Sequence, residues 1–294
     1  MDKQLIIVDG HAILHRAFHA LPALTAPNGQ PTGAVYGFFK MIFRLWENFA
    51  PDYFLVALDT PGPNFRHEKF VGYQAKRPKT DKKLANQIDI VTQILIKAKI
   101  ANKQKQGFEA DDIIGTVAKK VSKKLPVLIV TGDKDLMQLV DEQVSLFLPK
   151  NGLSTGQIVD SVYVKKDLGI EPSQVVDYKG LVGDNSDNYP GALGIGPKTG
   201  VKLLRNFGNL KKIYNCLDGV EPASIRKKLI KYKRDVFLSA DLAKINCRVP
   251  IKVNFKNYRV DRIDTKELKS AFAFLGFRSL SADLEKKSEQ MNLF

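Results

Sequence analysis

The chain has 294 residues, 44% of them apolar, which allows one large domain or two small ones around a sizeable core. Its 46 Lys and Arg against 31 Asp and Glu leave a formal net charge of +15, which suits a polyanionic partner. Two cysteines, Cys216 and Cys247, exclude a disulfide framework and a zinc knuckle and predict a reducing cytoplasm. The apolar run in MDKQLIIVDG is too short for a signal peptide, and no uncharged run approaches membrane-spanning length, so no membrane association is expected.

Leu5–Val8 is an apolar run ending in Asp9, and Phe54–Leu58 is another ending in Asp59. Val127–Val130 is a third, followed by Thr131, Gly132 and Asp133. Short runs without polar alternation predict strands buried on both faces, as in a parallel sheet. Helical patterns separate them at 34–49, 82–98 and 110–124. This alternation predicts an α/β fold with a central, mostly parallel sheet flanked by helices. Such sheets place their sites beyond the carboxyl ends of the strands, where Asp9, Asp59 and Asp133 all stand.

Residues 60–81, punctuated by Pro61, Gly62, Pro63, Gly72 and Pro78, suit a loop or arch over a site. The texture changes near 183, in GDNSDNYPGALGIGPKTG, and helical patterns follow at 197–207, 209–217, 221–232 and 234–245. The stretch 249–262 looks extended and 265–275 helical. The expected organisation is an α/β core over 1–180 with an arch near 60–83, a helical subdomain over 181–280, and a flexible tail over 281–294.

Nine carboxylates fall in short clusters: Asp9, Asp59, Glu109 with Asp111 and Asp112, Asp133 with Asp135, and Asp184 with Asp187. One pair of like charges about 4 Å apart costs on the order of 4 kcal/mol at an effective dielectric near 20, so gathering nine calls for cations. Acids in the first turn of a helix also serve as caps, and D-x-D pairs are common, so each cluster alone is a weak signal. Together they fit Mg²⁺ or Mn²⁺, hard ions that prefer oxygen; two such ions about 3.5–4 Å apart catalyse phosphodiester hydrolysis. GDNSDN lacks the closing glutamate of a calcium loop. His11, His15 and His19 share a helix face at zinc-compatible spacing, but oxygen-rich surroundings argue against zinc.

The basic residues are clustered. Residues 66–105 hold 11 Lys and Arg against 3 acids, and 198–234 hold 11 against 2. Two such stretches suggest two contacts along a phosphate backbone. Between them Gly194-Ile195-Gly196-Pro197-Lys198-Thr199 opens a helix carrying Lys202 and Arg205. The glycine spacing is not that of a Walker A loop; it suits sequence-independent contact with a DNA backbone.

The segments IIVDGHAILHRAFHAL, AVYGFFKM, VALDTPGPNFRHE, FEADDIIGTVAK, TGDKDLMQLV, GDNSDNYPG and GIGPKT together resemble the 5′ nuclease family. That family takes in the 5′→3′ exonuclease domain of bacterial DNA polymerase I, phage 5′ nucleases and eukaryotic flap endonucleases. The resemblance runs from residue 5 to about 245 and implies a PIN-like core with a helix–hairpin–helix-type subdomain. It implies a first metal position lined by Asp9, Asp59, Glu109 and Asp111, Asp112 between the groups, and a second position served by Asp133, Asp135, Asp184 and Asp187. DNA contacts would fall at Arg16, Arg66, Tyr73, Lys76, Arg77, Gly194, Gly196, Lys198, Thr199 and Lys202, with K⁺ at the GIGPKT turn and an arch over Arg66–Lys83 that threads a 5′ single strand.

Two positions depart from the family. Gln74 stands where the arch carries a lysine, which would reduce activity or alter the balance of cutting modes. Gly200 replaces a usual alanine, at a cost of roughly 1 kcal/mol in a helix. The last five residues resemble a sliding-clamp-binding peptide through Gln290, Leu293 and Phe294, with the last two as apolar anchors. The expected protein is a monomeric, cytoplasmic, bacterial nucleoid-associated 5′→3′ exonuclease and 5′-flap endonuclease acting on flaps, nicked or gapped duplex and RNA primers in replication and repair. The alternatives are a catalytically impaired DNA-binding module of the same fold and a PIN-like ribonuclease.

Overall fold

A computed structural model describes residues 3–150 and 155–291, the last six of these for their backbone alone. The strands are β1 (Leu5–Asp9), β2 (Tyr53–Ala57), β3 (Asn102–Lys103), β4 (Val127–Val130), β5 (Val144–Lys150) and β6 (Thr155–Val159). The helices of the first half are α1 (Gly10–Ala20), α2 (Gly33–Phe49), α3 (Phe65–Lys69), α4 (Lys82–Lys97) and α5 (Ala110–Val121). Those of the second half are α6 (Ser161–Leu168), α7 (Val175–Val182), α8 (Pro197–Phe207), α9 (Leu210–Asn215), α10 (Ala223–Lys231), α11 (Lys233–Ala243), α12 (Thr265–Phe274) and α13 (Arg278–Met291).

The sheet runs β3-β2-β1-β4-β5-β6, parallel except for the antiparallel β5–β6 pair at one edge. From β1 the chain first builds outward through β2 and β3, then returns to the other side of β1 as β4. The order therefore reverses between β1 and β4, which opens a crevice at their carboxyl ends. β1 shows why the strands read as unbroken apolar runs. Leu5 and Ile7 enter the core under α5, while Ile6 and Val8 enter the core under α1 and α2. Both faces are covered, so period-two polarity has no place.

The apolar core under α5 continues without a break into α7, α8, α9, α10 and α11 through Leu181, Leu203, Leu204, Ile213, Leu229 and Val236. The change of composition near 183 is thus a loop rather than a gap between cores.

Three segments differ from expectation. β5 and β6 were not legible as strands. The stretch 249–262 is irregular chain with 3-10 turns at Phe255–Tyr258 and Val260–Arg262, because the Asn254 side chain caps the first and Arg259 closes on Asp261 across the second. The expected flexible tail from 281 is helical: α13 buries Leu280 and Leu284 beside α2, and Lys40 pairs with Asp283 at 2.7 Å.

Candidate active site

Each acidic cluster arises from a local capping requirement. Asp9 ends β1 and caps α1: its Oδ1 accepts the Ala12 N–H at 3.0 Å. Gly10 follows because a Cβ there would meet Leu58 at 2.5 Å and the Ala57 carbonyl at 2.9 Å, so only glycine lets α1 start this close to β2. Asp9 Oδ2 accepts from Thr131 Oγ1 at 2.8 Å, and that hydroxyl accepts the Asp133 N–H at 2.9 Å. Thr131 thereby ties the ends of β1 and β4 together. Asp59 Oδ1 reaches the Ala110 N–H at 2.6 Å, at the first turn of α5. Asp133 in turn accepts the Asp135 N–H at 2.7 Å.

The nine carboxylates then divide by what faces them. Asp9, Asp59, Asp111 and Asp133 form a central group. Burial first, then Asp59 and Asp133, push the Asp9 carboxyl up to about 7 against the hydrogen bonds from Ala12 and Thr131. Burial, then Asp133, Asp9, Glu109 and Asp59, raise Asp111 well above the ordinary range. No cation is among the influences on either. His11 lies 3.5 Å from Asp59, but its Nδ1 accepts the Asp59 N–H at 3.1 Å, so that lone pair is engaged and the contact is not an ion pair.

The flanking carboxylates are held by donors of the protein. Arg66 is 2% exposed; it pairs with both oxygens of Asp112 and with Glu109, each at 2.8 Å, and its Nε donates to the Leu242 carbonyl. Asp112 is fully buried and also accepts the Glu109 and Asn246 N–H groups. Asp112, expected at the metal site, and Arg66, expected to contact DNA, here satisfy one another's charge inside the protein. On the other side Lys179, which sequence reasoning missed, bridges Asp135 at 2.5 Å and Asp184. Burial and the neighbouring Asp133 raise Asp135 to about 6 in spite of that lysine. Asp184 is also opposed by burial, but the bonds from Lys179 and Ser186 hold it below the ordinary range.

The segment expected as an arch lies down on this site. Asn64 Nδ2 donates to Glu109 at 2.9 Å. Tyr73, expected to contact DNA, is 4% exposed, and its hydroxyl is shared between Glu109 and Asp187. Gln74 Nε2 lies 3.3 Å from Glu109 and 3.2 Å from Asp187, while its backbone N–H donates to the Asp187 carbonyl at 2.9 Å. Gln74 has φ of +53°, a left-handed conformation that costs on the order of 1 kcal/mol in a residue with a Cβ. The only regular helix of 60–81 is the five-residue α3.

The donor chemistry suits hard divalent cations: the set is all oxygen, and at its centre Asp9, Asp111 and Asp133 have no ion pair among the described contacts. One buried polar atom at the site also lacks a partner among the described residues, the Tyr189 hydroxyl. Among the described residues no three His, Cys, Asp or Glu side chains stand close enough to hold an ion as they are.

Two family models match the chain: the 5′-3′ exonuclease N-terminal resolvase-like domain over residues 4–169, and the 5′-3′ exonuclease C-terminal SAM fold over 170–266. The chain belongs to the 5′-3′ exonuclease family. It is 35% identical over 289 residues to DNA polymerase I of Bacillus subtilis, and 39% identical over 282 residues to that of Caldicellulosiruptor bescii, covering 98% and 94% of this chain. It spans 33% of the length of each. The fold is that of the bacteriophage T5 flap endonuclease in complex with DNA and metal ions, with TM-score 0.69, 20% identity and 98% of each chain covered. It is also that of the catalytic core of Rad2 in complex with DNA substrate, with TM-score 0.62, 19% identity, 98% of this chain and 90% of that one covered. A related T5 structure contains zinc.

The basic residues expected to touch DNA fall in two classes. Lys76, Arg77, Lys198 and Lys202 are exposed, Thr199 and Arg16 half-buried. Gly196 caps α8 with Pro197 at its first position, and the exposed Gly194 gives its carbonyl to Lys228 at 3.0 Å. Arg205 instead donates to the Gly169 carbonyl at 2.7 Å, pinning α8 to the end of α6. The Gln290 side chain, Leu293 and Phe294 lie outside the described residues. No described helix is long and apolar enough to cross a membrane.

Proposed function

We propose that the chain is a structure-specific 5′ nuclease on DNA, removing 5′ flaps and RNA primers with Mg²⁺ or Mn²⁺. The observation that carries this reading is the central group Asp9, Asp59, Asp111 and Asp133. It lies at the strand ends beside the switch point, and no described ion pair joins it to a Lys or Arg as Arg66 joins Asp112 or Lys179 joins Asp135. Asp9, Asp59, Glu109 and Asp111 would hold one ion; Asp133, Asp135, Asp184 and Asp187 would serve a second. Divalent ions bound there supply positive charge to the phosphate and to the departing oxygen.

The protein's own groups do the rest. Arg66 and Lys179 fix Glu109 and Asp135 in place, so that fewer torsions must be ordered when substrate arrives. Lys198, Thr199 and Lys202, with the α8 N-terminus, suit a duplex backbone, and K⁺ at the GIGPKT turn would add to that grip. Lys76 and Arg77 are exposed on the segment 64–77 and would meet the single strand. Gln290, Leu293 and Phe294 would bind a sliding clamp.

The test is cleavage of a 5′-labelled flap duplex with Mg²⁺, with EDTA and Asp133→Ala as controls. A metal-dependent cut near the junction, lost in the variant while DNA binding persists, is expected. Binding without a cut in either Mg²⁺ or Mn²⁺ would favour the DNA-binding alternative.

A further inference from the structure

Four buried side-chain polar atoms have no hydrogen-bond partner among the described residues: Thr32 Oγ1, Trp46 Nε1, Tyr189 Oη and Tyr258 Oη. Three of them have an apolar or unremarkable setting. Trp46 packs among Phe43 and Phe54, Tyr258 is perturbed by burial alone, and Thr32 opens α2. Tyr189 is different. It is 3% exposed, and the charges acting on its phenol are those of Asp135, Asp184, Asp187 and Asp133. A tyrosine hydroxyl has one proton to give.

A buried phenol normally bonds to some acceptor, since an unmade bond in a buried setting costs about 1–3 kcal/mol. Tyr189 cannot swing to do so. Its backbone pairs with Asp184 in both directions, at 2.9 and 3.0 Å, and its ring packs against Tyr73, Leu242 and Ala243. The hydroxyl is thus held, without a partner among the described residues, on the short loop that also carries Asp184 and Asp187. A buried donor held in this way marks the place of a water or a hydrated ion.

We propose that Tyr189 is a positioning residue whose hydroxyl donates to the hydration water of a divalent cation held by the Asp133, Asp135, Asp184 and Asp187 bank. The inference rests on the nuclease reading above and names a residue that reading does not use. Mg²⁺ keeps several of its waters when protein-bound, and groups that orient such outer contacts tune affinity without ligating. Tyr189 supplies a donor on the side of the bank opposite in character to Lys179: it adds no charge, so it does not compete with the ion for the carboxylates.

The experiment compares the full chain with Tyr189→Phe and Tyr258→Phe in two measurements, thermal unfolding in EDTA and calorimetric titration with Mn²⁺. Each variant deletes one orphan hydroxyl and keeps the ring. Both are expected to unfold at a higher temperature than the parent without metal. Only Tyr189→Phe is expected to bind Mn²⁺ more weakly, by about tenfold at the affected site. Equal Mn²⁺ affinity in Tyr189→Phe and the parent would overturn the proposal while leaving the nuclease reading intact. A lower unfolding temperature for Tyr189→Phe in EDTA would also overturn it, because the hydroxyl would then be bonded within the protein. A parent chain that binds no Mn²⁺ at all would remove the nuclease reading as well.

Discussion

Arg66 and Asp112 meet as two parallel prongs, Nη1 to Oδ2 and Nη2 to Oδ1, both at 2.8 Å and both shielded from solvent. Removing one partner of such a buried pair leaves the other charged and unsolvated, at about 3–5 kcal/mol. Asp112→Asn and Arg66→Met should each lower stability by that order in urea unfolding. Asp112→Asn should keep Mn²⁺ affinity within a factor of about three, since this carboxylate faces Arg66 and not the central group. A large loss of Mn²⁺ affinity in a still-folded Asp112→Asn would return Asp112 to the metal site.

Asp111 belongs to the group that meets no cation, and its variant should behave in the opposite way. Asp111→Asn relieves repulsion from Asp133 and Asp9. Its unfolding temperature in EDTA should rise by a few degrees, at roughly 2–4 °C per kcal/mol for a chain of this size class. Flap cleavage should fall by about a hundredfold or more. Unchanged stability in EDTA would show that the acids are already screened from one another.

The pH dependence without metal follows from the raised acids. Asp9 and Glu109 are held up to about 7 and Asp135 to about 6, against ordinary values near 4. Between pH 4 and 7 the folded state therefore binds more protons than the unfolded chain, so stability falls as pH rises through this window. Unfolding temperature recorded in EDTA from pH 5 to 8 checks the sign, and added Mg²⁺ should flatten the fall. A rise of stability across that window would refute the assignment.

Gly200 makes a local prediction against helix propensity. Alanine there should gain roughly 1 kcal/mol as a helix former. A Cβ at Gly200, however, would stand 2.9 Å from Cγ2 of Val182, a stiff branched side chain on α7. Gly200→Ala should therefore lose about 1 kcal/mol net. Gly200→Ala combined with Val182→Ala, read by chemical denaturation, should recover part of that loss.

The parts of the fold legible in the sequence were those with one dominant signal. β1, β2 and β4 are unbroken apolar runs ending at Asp9, before Asp59 and before Thr131, and only burial on both faces explains them. β5 was harder because its VSLFLPK carries a proline and a polar residue that an edge partner tolerates. The nine carboxylates were legible as a set, but their division was not. Whether an acid faces Arg66, Lys179 or another acid depends on side chains distant in sequence, as Arg66 and Asp112 are, at a separation of 46. Tyr189 gave no sequence signal, since an aromatic in a loop most often marks packing. The helix of α13 was hidden by its polar composition; two leucines, Leu280 and Leu284, suffice to seat it.

The unbroken apolar core between the sheet and α8 has a metrical consequence. A protein that joined its grip and its chemistry by a pliant linker would let the cut wander along the strand. Here Lys198 and Lys202 stand on a helix braced by Leu203, Leu204 and the Arg205–Gly169 contact, at a set span from Asp9 and Asp111. Under the proposed function the body of the protein would act as a caliper: fixing one phosphate of the duplex would fix which bond reaches the acids, with no base needing to be read.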